Sequence, residues 1–262
     1  MKRILQLLLC LVAGIKLQAQ HGAAYWALGA NESNKYGAMG LANNPGVAFQ
    51  QRYVTGAWGQ QRFTATDIVY GGLVAATKVK NSMFGVDYAM QGTANFSLNN
   101  MHVSMCQQVS KAFSAGFSVG YSKTAQALGI ENNSSLSGRI GARFDINEKW
   151  DAAAVVINPW NKVGDDFRTA NAGALSLGYK VNALTETAMQ YRYQQGFQPV
   201  YGVSLRHMRG KHLVLMGSLQ TGPEPVSGGI AFTKGKLELS MATRYHTRLG
   251  FSPAFSLVWV GR

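Results

Sequence analysis

Phe113-Ser-Ala-Gly-Phe-Ser-Val-Gly-Tyr121 decides the fold. Phe113, Ala115, Phe117, Val119 and Tyr121 fall on one side of this stretch, and Ser114, Gly116, Ser118 and Gly120 on the other. An extended strand, whose successive side chains point to opposite faces, sorts residues in this way. The alternation returns along the chain. Leu136, Ile140, Phe144 and Ile146 oppose Ser137, Arg139, Arg143 and Asp145, while Leu175, Leu177, Tyr179 and Val181 oppose Ser176, Gly178 and Lys180. Thr187, Met189, Tyr191 and Tyr193 stand against Glu186, Gln190 and Arg192. Leu237, Leu239, Met241 and Tyr245 stand against Glu238, Ser240, Arg244 and His246. No helical period of useful length competes.

Working outward, residues from Tyr53 onward divide into about fourteen such strands. They are expected at 53–62, 66–77, 83–94, 98–109, 112–124, 134–146, 149–159, 173–181, 184–194, 198–208, 212–220, 225–233, 236–247 and 252–261. Tight breaks such as Ser110-Lys-Ala, Asn147-Glu-Lys149, Asn182-Ala-Leu and Arg209-Gly-Lys211 recur at every second connection. The longest connections, Ala125–Asn133 and Asn161–Ala172, belong to the other set. An even strand number, with short turns at one end and longer loops at the other, is the mark of an outer-membrane barrel. The expected fold is therefore all-β: a transmembrane antiparallel up-and-down β-barrel of about 14 strands, preceded by an N-terminal plug-like segment.

The competing architecture is a soluble barrel or sandwich, which would bury its apolar faces and keep its charges on solvent. Composition weighs against it. Only 14% of the 262 residues are charged, 47% are hydrophobic and 30 are glycine, whereas an average soluble domain is about 25% charged. Such a chain is neither disordered nor a coiled coil. Trp58, Trp150, Trp160 and Trp259 lie near expected strand ends, which suggests aromatic girdles at the two membrane interfaces.

Residues 1–19 read as a secretory signal peptide: basic Lys2 and Arg3, the apolar run Ile4 to Ala13, then a cut after Ala19. The run is too short to span a bilayer, which takes about 20 residues. Its removal would lower the formal charge of +13 by three and leave Cys106 as the lone cysteine, so no internal disulfide is expected. Residues 20–52 do not alternate and form an N-terminal plug or periplasmic segment, with the barrel over 53–262. Asn44-Pro45-Gly46 is a turn signal.

The alternation turns Arg139, Arg143, Lys180, Arg192, Arg206 and Arg244 toward the lumen, together with Asp87, Asp145, Glu186 and Glu238. Two readings stay open for this lumen charge network: paired bracing of the wall and plug, or an anion-selective channel. Metal and redox motifs are absent: no HExxH or CxxC occurs. A lipid-face hydrolase would need Ser, His and an acid to converge there, and the register turns only His207 outward among apolar neighbours, with Ser204 inward. The expectation is no enzymatic activity, no cofactor and no metal. The basic excess at turns and lumen fits contact with lipopolysaccharide and outer-membrane lipid better than nucleic acid.

Gly37-Ala-Met-Gly40 and Asn43-Asn44-Pro45-Gly46-Val47-Ala48, placed before a fourteen-strand barrel, resemble the FadL-like outer-membrane proteins. Within that group the look is similar to the PorV and PorQ proteins of the Bacteroidota type IX secretion system. The resemblance implies a lumen plug carrying Gly37, Gly40, Asn44, Pro45 and Gly46, and residence in the outer membrane of a Gram-negative, Bacteroidota-type bacterium. It also implies a non-enzymatic role as an accessory or anchoring subunit of an envelope complex, with other envelope proteins as partners. The alternative is a FadL-like transporter or channel for hydrophobic or small anionic solutes. This chain has shorter loops than the family's larger members.

Overall fold

A computed structural model describes residues 22–29, 39–47, 51–63, 67–93, 96–126, 134–160 and 171–261. The signal peptide, Gly37 and most of the two longest loops lie outside these residues. The first seven strands are β1 (Tyr53–Arg62), β2 (Ile68–Val79), β3 (Ser82–Thr93), β4 (Phe96–Gln108), β5 (Phe113–Gln126), β6 (Ser134–Asp145) and β7 (Trp150–Ile157). The second seven are β8 (Ala172–Lys180), β9 (Thr185–Gln194), β10 (Val200–Arg209), β11 (Leu213–Gln220), β12 (Val226–Lys234), β13 (Leu237–His246) and β14 (Gly250–Gly261). Each pairs antiparallel with its sequence neighbours, and β1 closes on β14 from Tyr53↔Gly261 to Gln60↔Ala254, giving a closed fourteen-strand barrel. Closure removes the unpaired sheet edges that hydrocarbon cannot solvate.

The faces follow the sequence pattern. Phe117 and Val119 are 51% and 52% exposed on the outer wall while Ser118 between them is 2% exposed. The outer wall carries Leu73, Val103, Leu136, Leu175, Met189, Leu219, Met241 and Phe255, all exposed. An apolar belt presented by every strand is stable only against lipid.

The turn chemistry explains why one end is tight. Ser110 Oγ accepts from the Ala112 and Phe113 amides, and Asn147 Oδ1 accepts from those of Lys149 and Trp150. Asn182 Oδ1 accepts from Leu184 N. Short Ser and Asn side chains thus stand in for the missing backbone partners of a sharp reversal. At the opposite, loop end, His246 Nδ1 accepts from Arg248 and Leu249, so β14 begins at Gly250 instead of the expected 252.

Two short helices precede the barrel, α1 (Ala23–Ala27) and α2 (Gly40–Asn43). Their side chains pack among inward-facing residues. Trp26, Ala27 and Leu28 cluster with Val214, Met216, Ala231, Ala242 and Ala254. Met39 and Leu41 cluster with Val54, Trp58, Val74 and Met83.

Candidate functional site

The inner wall is the place where sequence, burial and polar chemistry converge. At the loop end, wall side chains donate to the carbonyls that end α1 and its cap. Arg244 Nη2 donates to Trp26 O at 3.0 Å, Ser227 Oγ to Ala27 O at 2.9 Å and Gln190 Nε2 to Leu28 O at 3.1 Å. The Arg244 guanidinium also lies 3.7 Å from the Trp26 ring centroid. Glu224, in the β11–β12 loop, holds Arg244 at 3.0 Å and Arg62 at 3.1 Å. Burial pushes the Glu224 carboxyl up, but Arg244 and Arg62 outweigh it and leave its pKa below the ordinary 4.5.

The second N-terminal stretch meets the wall through glycines. Gly116 and Gly141 are register partners on β5 and β6. A Cβ on Gly116 would overlap Pro45 O, and one on Gly141 would overlap Asn44 Oδ1. The missing side chains therefore leave a window into which Asn44-Pro45-Gly46 fits backbone to backbone. Asn44 Oδ1 accepts from Gly46 N at 2.8 Å, fixing the turn, and Ser114 Oγ donates to Gly46 O at 2.6 Å. Arg139 donates to Ala42 O. Gly40, Asn44, Pro45 and Gly46 thus share one buried seat.

The expected charge network resolves into separate groups. Arg143 binds Asp145 at 2.6 Å and Asp151 at 3.1 Å near the turn end. Arg206 faces Glu186 at 3.8 Å, Arg192 donates to Gln220 at 2.5 Å, and Glu238 accepts from Ser240 at 3.3 Å. Asp87 pairs with His102 at 3.1 Å. Asp145 and Lys180 lie at the turn-end rim, where they line a depression with Lys149 and Asp151, and the Asp145 side chain is 44% exposed. A strand's last residue reaches past the wall, where alternation no longer decides its surroundings. Glu224, Arg62, Asp151 and His102 were missed. Glu224 sits in a loop, which carries no alternation to read.

Trp58 departs from the expected girdle. It is 5% exposed and faces inward with Val54 and Gln60, because the outward positions of β1 are Thr55, Ala57 and Gly59 and its inner face receives Met39 and Leu41. Trp150, Trp160 and Trp259 are exposed on the outer wall: Trp150 and Trp259 toward the turn end, and Trp160 at the loop end over Gly138. Among the described residues, no cluster of His, Cys, Asp or Glu is arranged to hold a metal ion.

These features define an outer-membrane β-barrel whose inward-facing side chains meet residues 22–29 and 39–47. No family model matches the chain, and no curated protein matches it. Solved structures do. The CymD monoaromatic hydrocarbon channel is 12% identical, with a TM-score of 0.68 over 93% of this chain and 98% of that one. The Pseudomonas putida toluene transporter TodX is 12% identical, with a TM-score of 0.69 over 91% and 96%. A Pseudomonas aeruginosa FadL homologue is 9% identical, with a TM-score of 0.66 over 92% and 98%. The fold is thus one shared with FadL-like channels, and these similar proteins are channels and transporters.

Proposed function

We infer that the protein is a FadL-like outer-membrane channel for small hydrophobic solutes, with residues 20–52 as its plug. One observation carries this reading. The inner wall of β1–β3 and β14 is lined by Val54, Trp58, Tyr70, Val74, Met83 and Val258, whereas a water-filled porin keeps its interior polar. Met39 and Leu41 cover this apolar stripe, and their displacement would let a hydrophobic solute stay out of water during its passage. Two of the structurally similar proteins, CymD and TodX, are named for monoaromatic hydrocarbons and toluene, which points to that solute class. Uptake of labelled toluene by cells carrying the protein in the outer membrane is the test. Faster initial uptake than in cells with an empty vector is expected, and equal rates would refute the channel.

A second reading rests on the Gly40–Gly46 stretch and its resemblance to PorV and PorQ: an accessory or anchoring subunit of a type IX secretion-like complex in a Bacteroidota-type envelope. Such a subunit would co-purify stoichiometrically with other envelope proteins and give no conductance in planar bilayers. Lipopolysaccharide and outer-membrane lipid are the partners proposed for the exposed cations, among them Arg248 at the loop end.

A further inference from the structure

Four residues from four consecutive strands stand in one row across the inner wall. Asp87 on β3 pairs with His102 on β4, His102 with Gly120 on β5, and Gly120 with Ser137 on β6. Neighbouring strands lie roughly 4.8 Å apart, so His102 and Ser137 are two strand spacings from each other. Gly120 closes that gap. A Cβ there would overlap the His102 ring, and without one the imidazole lies across β5 and reaches β6. His102 Nδ1 is 3.1 Å from Asp87 Oδ2, and Nε2 is 3.1 Å from Ser137 Oγ. A carboxylate only accepts, so the shared proton sits on Nδ1 and Nε2 is left to accept from the Ser137 hydroxyl. Asp87 and His102 are 2% and 4% exposed, while Ser137 is only half-buried, so the serine end of the relay is its more accessible end.

Arg139 lies two residues beyond Ser137 on the same face of β6. It gives one bond to Ala42 O, and a guanidinium carries five N–H donors in all. Nucleophile, base, orienting acid and a cation for a developing oxyanion are thus assembled on one wall.

We propose that Asp87, His102 and Ser137 form a serine-hydrolase centre in the lumen that cleaves carboxylic esters of small, largely apolar molecules. Ser137 Oγ bonds to the ester carbonyl carbon as its proton passes to His102 Nε2, and the carbonyl oxygen becomes an oxyanion beside Arg139. Collapse breaks the bond to the alkoxide, which departs as the alcohol with the proton from His102. Water then attacks the acyl-Ser137 ester while His102 takes its proton. The carboxylic acid leaves, the hydroxyl is restored, and the net reaction is ester plus water to acid plus alcohol. Asp87 is a positioning residue that fixes the imidazole tautomer. The proposal does not depend on which solute the channel passes.

The test uses the full protein folded in detergent, with a fluorophosphonate probe and p-nitrophenyl butyrate. Stoichiometric labelling mapped to Ser137 and measurable ester turnover are expected. Ser137→Ala abolishes both, and His102→Gln lowers turnover by about a hundredfold or more. Asp87→Asn lowers kcat with KM unchanged, because it misplaces the proton on the ring and not the substrate. Gly120→Ala leaves all three side chains in the sequence but displaces the ring, so it suppresses labelling while the barrel still migrates as a folded, heat-modifiable band. Folded wild-type protein that takes no label and hydrolyses the ester no faster than Ser137→Ala overturns the proposal, as does labelling at another residue.

Discussion

Replacing Arg244 with Met isolates what holds α1 at the loop end. Arg244 touches the segment in two ways: a hydrogen bond to Trp26 O at 3.0 Å and a guanidinium 3.7 Å from the Trp26 ring. Its side chain is 2% exposed, so both act in a desolvated setting. A hydrogen bond from a charged donor contributes about 1.5–3 kcal/mol, and a desolvated cation–π contact about 2 kcal/mol. Methionine fills similar space and returns about 0.3–1.5 kcal/mol through sulfur–aromatic contact. Glu224 is not stranded, because Arg62 still holds it at 3.1 Å, so the penalty of an orphaned buried charge does not arise. The net loss to the segment is roughly 2–4.7 kcal/mol, or roughly 30- to 2,000-fold in its opening equilibrium at 1.4 kcal/mol per decade. Hydrogen exchange reads this directly at Leu28 N, bonded to Ala24 O, and Gly29 N, bonded to Trp26 O. Exchange there should accelerate by that factor while the β4–β5 ladder stays protected. Acceleration of less than about threefold, or an equal change in the ladder, would refute the assignment of this holding energy to Arg244.

Three further outcomes are expected. The Glu224 carboxyl has a depressed pKa when folded, so its stabilisation is complete above the ordinary 4.5 and is lost as pH falls through the depressed value. Exchange at Leu28 and Gly29, corrected for intrinsic rates, should hold level from neutral pH down to the ordinary carboxylate range and then rise; a rise already at about pH 6 would contradict this. Gly141→Ala places a methyl against Asn44 Oδ1, so the turn at residues 44–46 should loosen by about 1–3 kcal/mol, read as faster exchange at Val47 N, with the barrel intact. Val119→Arg on the outer wall should cost about 2–4 kcal/mol of folding free energy in lipid by denaturant titration. Ser118→Ala, one residue away on the inner wall, should cost far less, and equal costs would mean that the faces are misassigned.

The barrel was legible because alternation is a local property. Phe113 to Tyr121 reports its own strand's two faces without knowledge of any neighbour, and the Ser110, Asn147 and Asn182 turns carry their own hydrogen-bond acceptors. Strand count, turn positions and the inward aim of Arg139, Arg143, Arg206 and Arg244 could therefore be read from single segments. The same locality explains the failures. Trp58 belongs to a strand whose outward residues are Thr55, Ala57 and Gly59, so its apolar side is turned inward to receive Met39 and Leu41. Proximity to a strand end suggested a girdle, but the packing partner comes from a different part of the chain.

Register is the information that local reading lacks. Asp87, His102, Gly120 and Ser137 are separated by fifteen, eighteen and seventeen residues, spacings without meaning until the hairpin offsets are set. Those offsets depend on turns such as Lys80-Asn81 between Val79 and Ser82, where one residue more or fewer would turn a whole strand's faces over. Gly120 in isolation is one small residue on a face of small residues, and Gly116 and Gly141 look the same. The structure separates them by what crosses each: a backbone turn over Gly116 and Gly141, an imidazole over Gly120. In a barrel wall the informative glycine is one whose absent side chain another residue occupies. On the lipid face alternation leaves only His207 among apolar neighbours, with Ser204 turned inward, so no Ser, His and acid meet there. On the inner wall, the same three residue types meet across a strand that supplies no side chain at all.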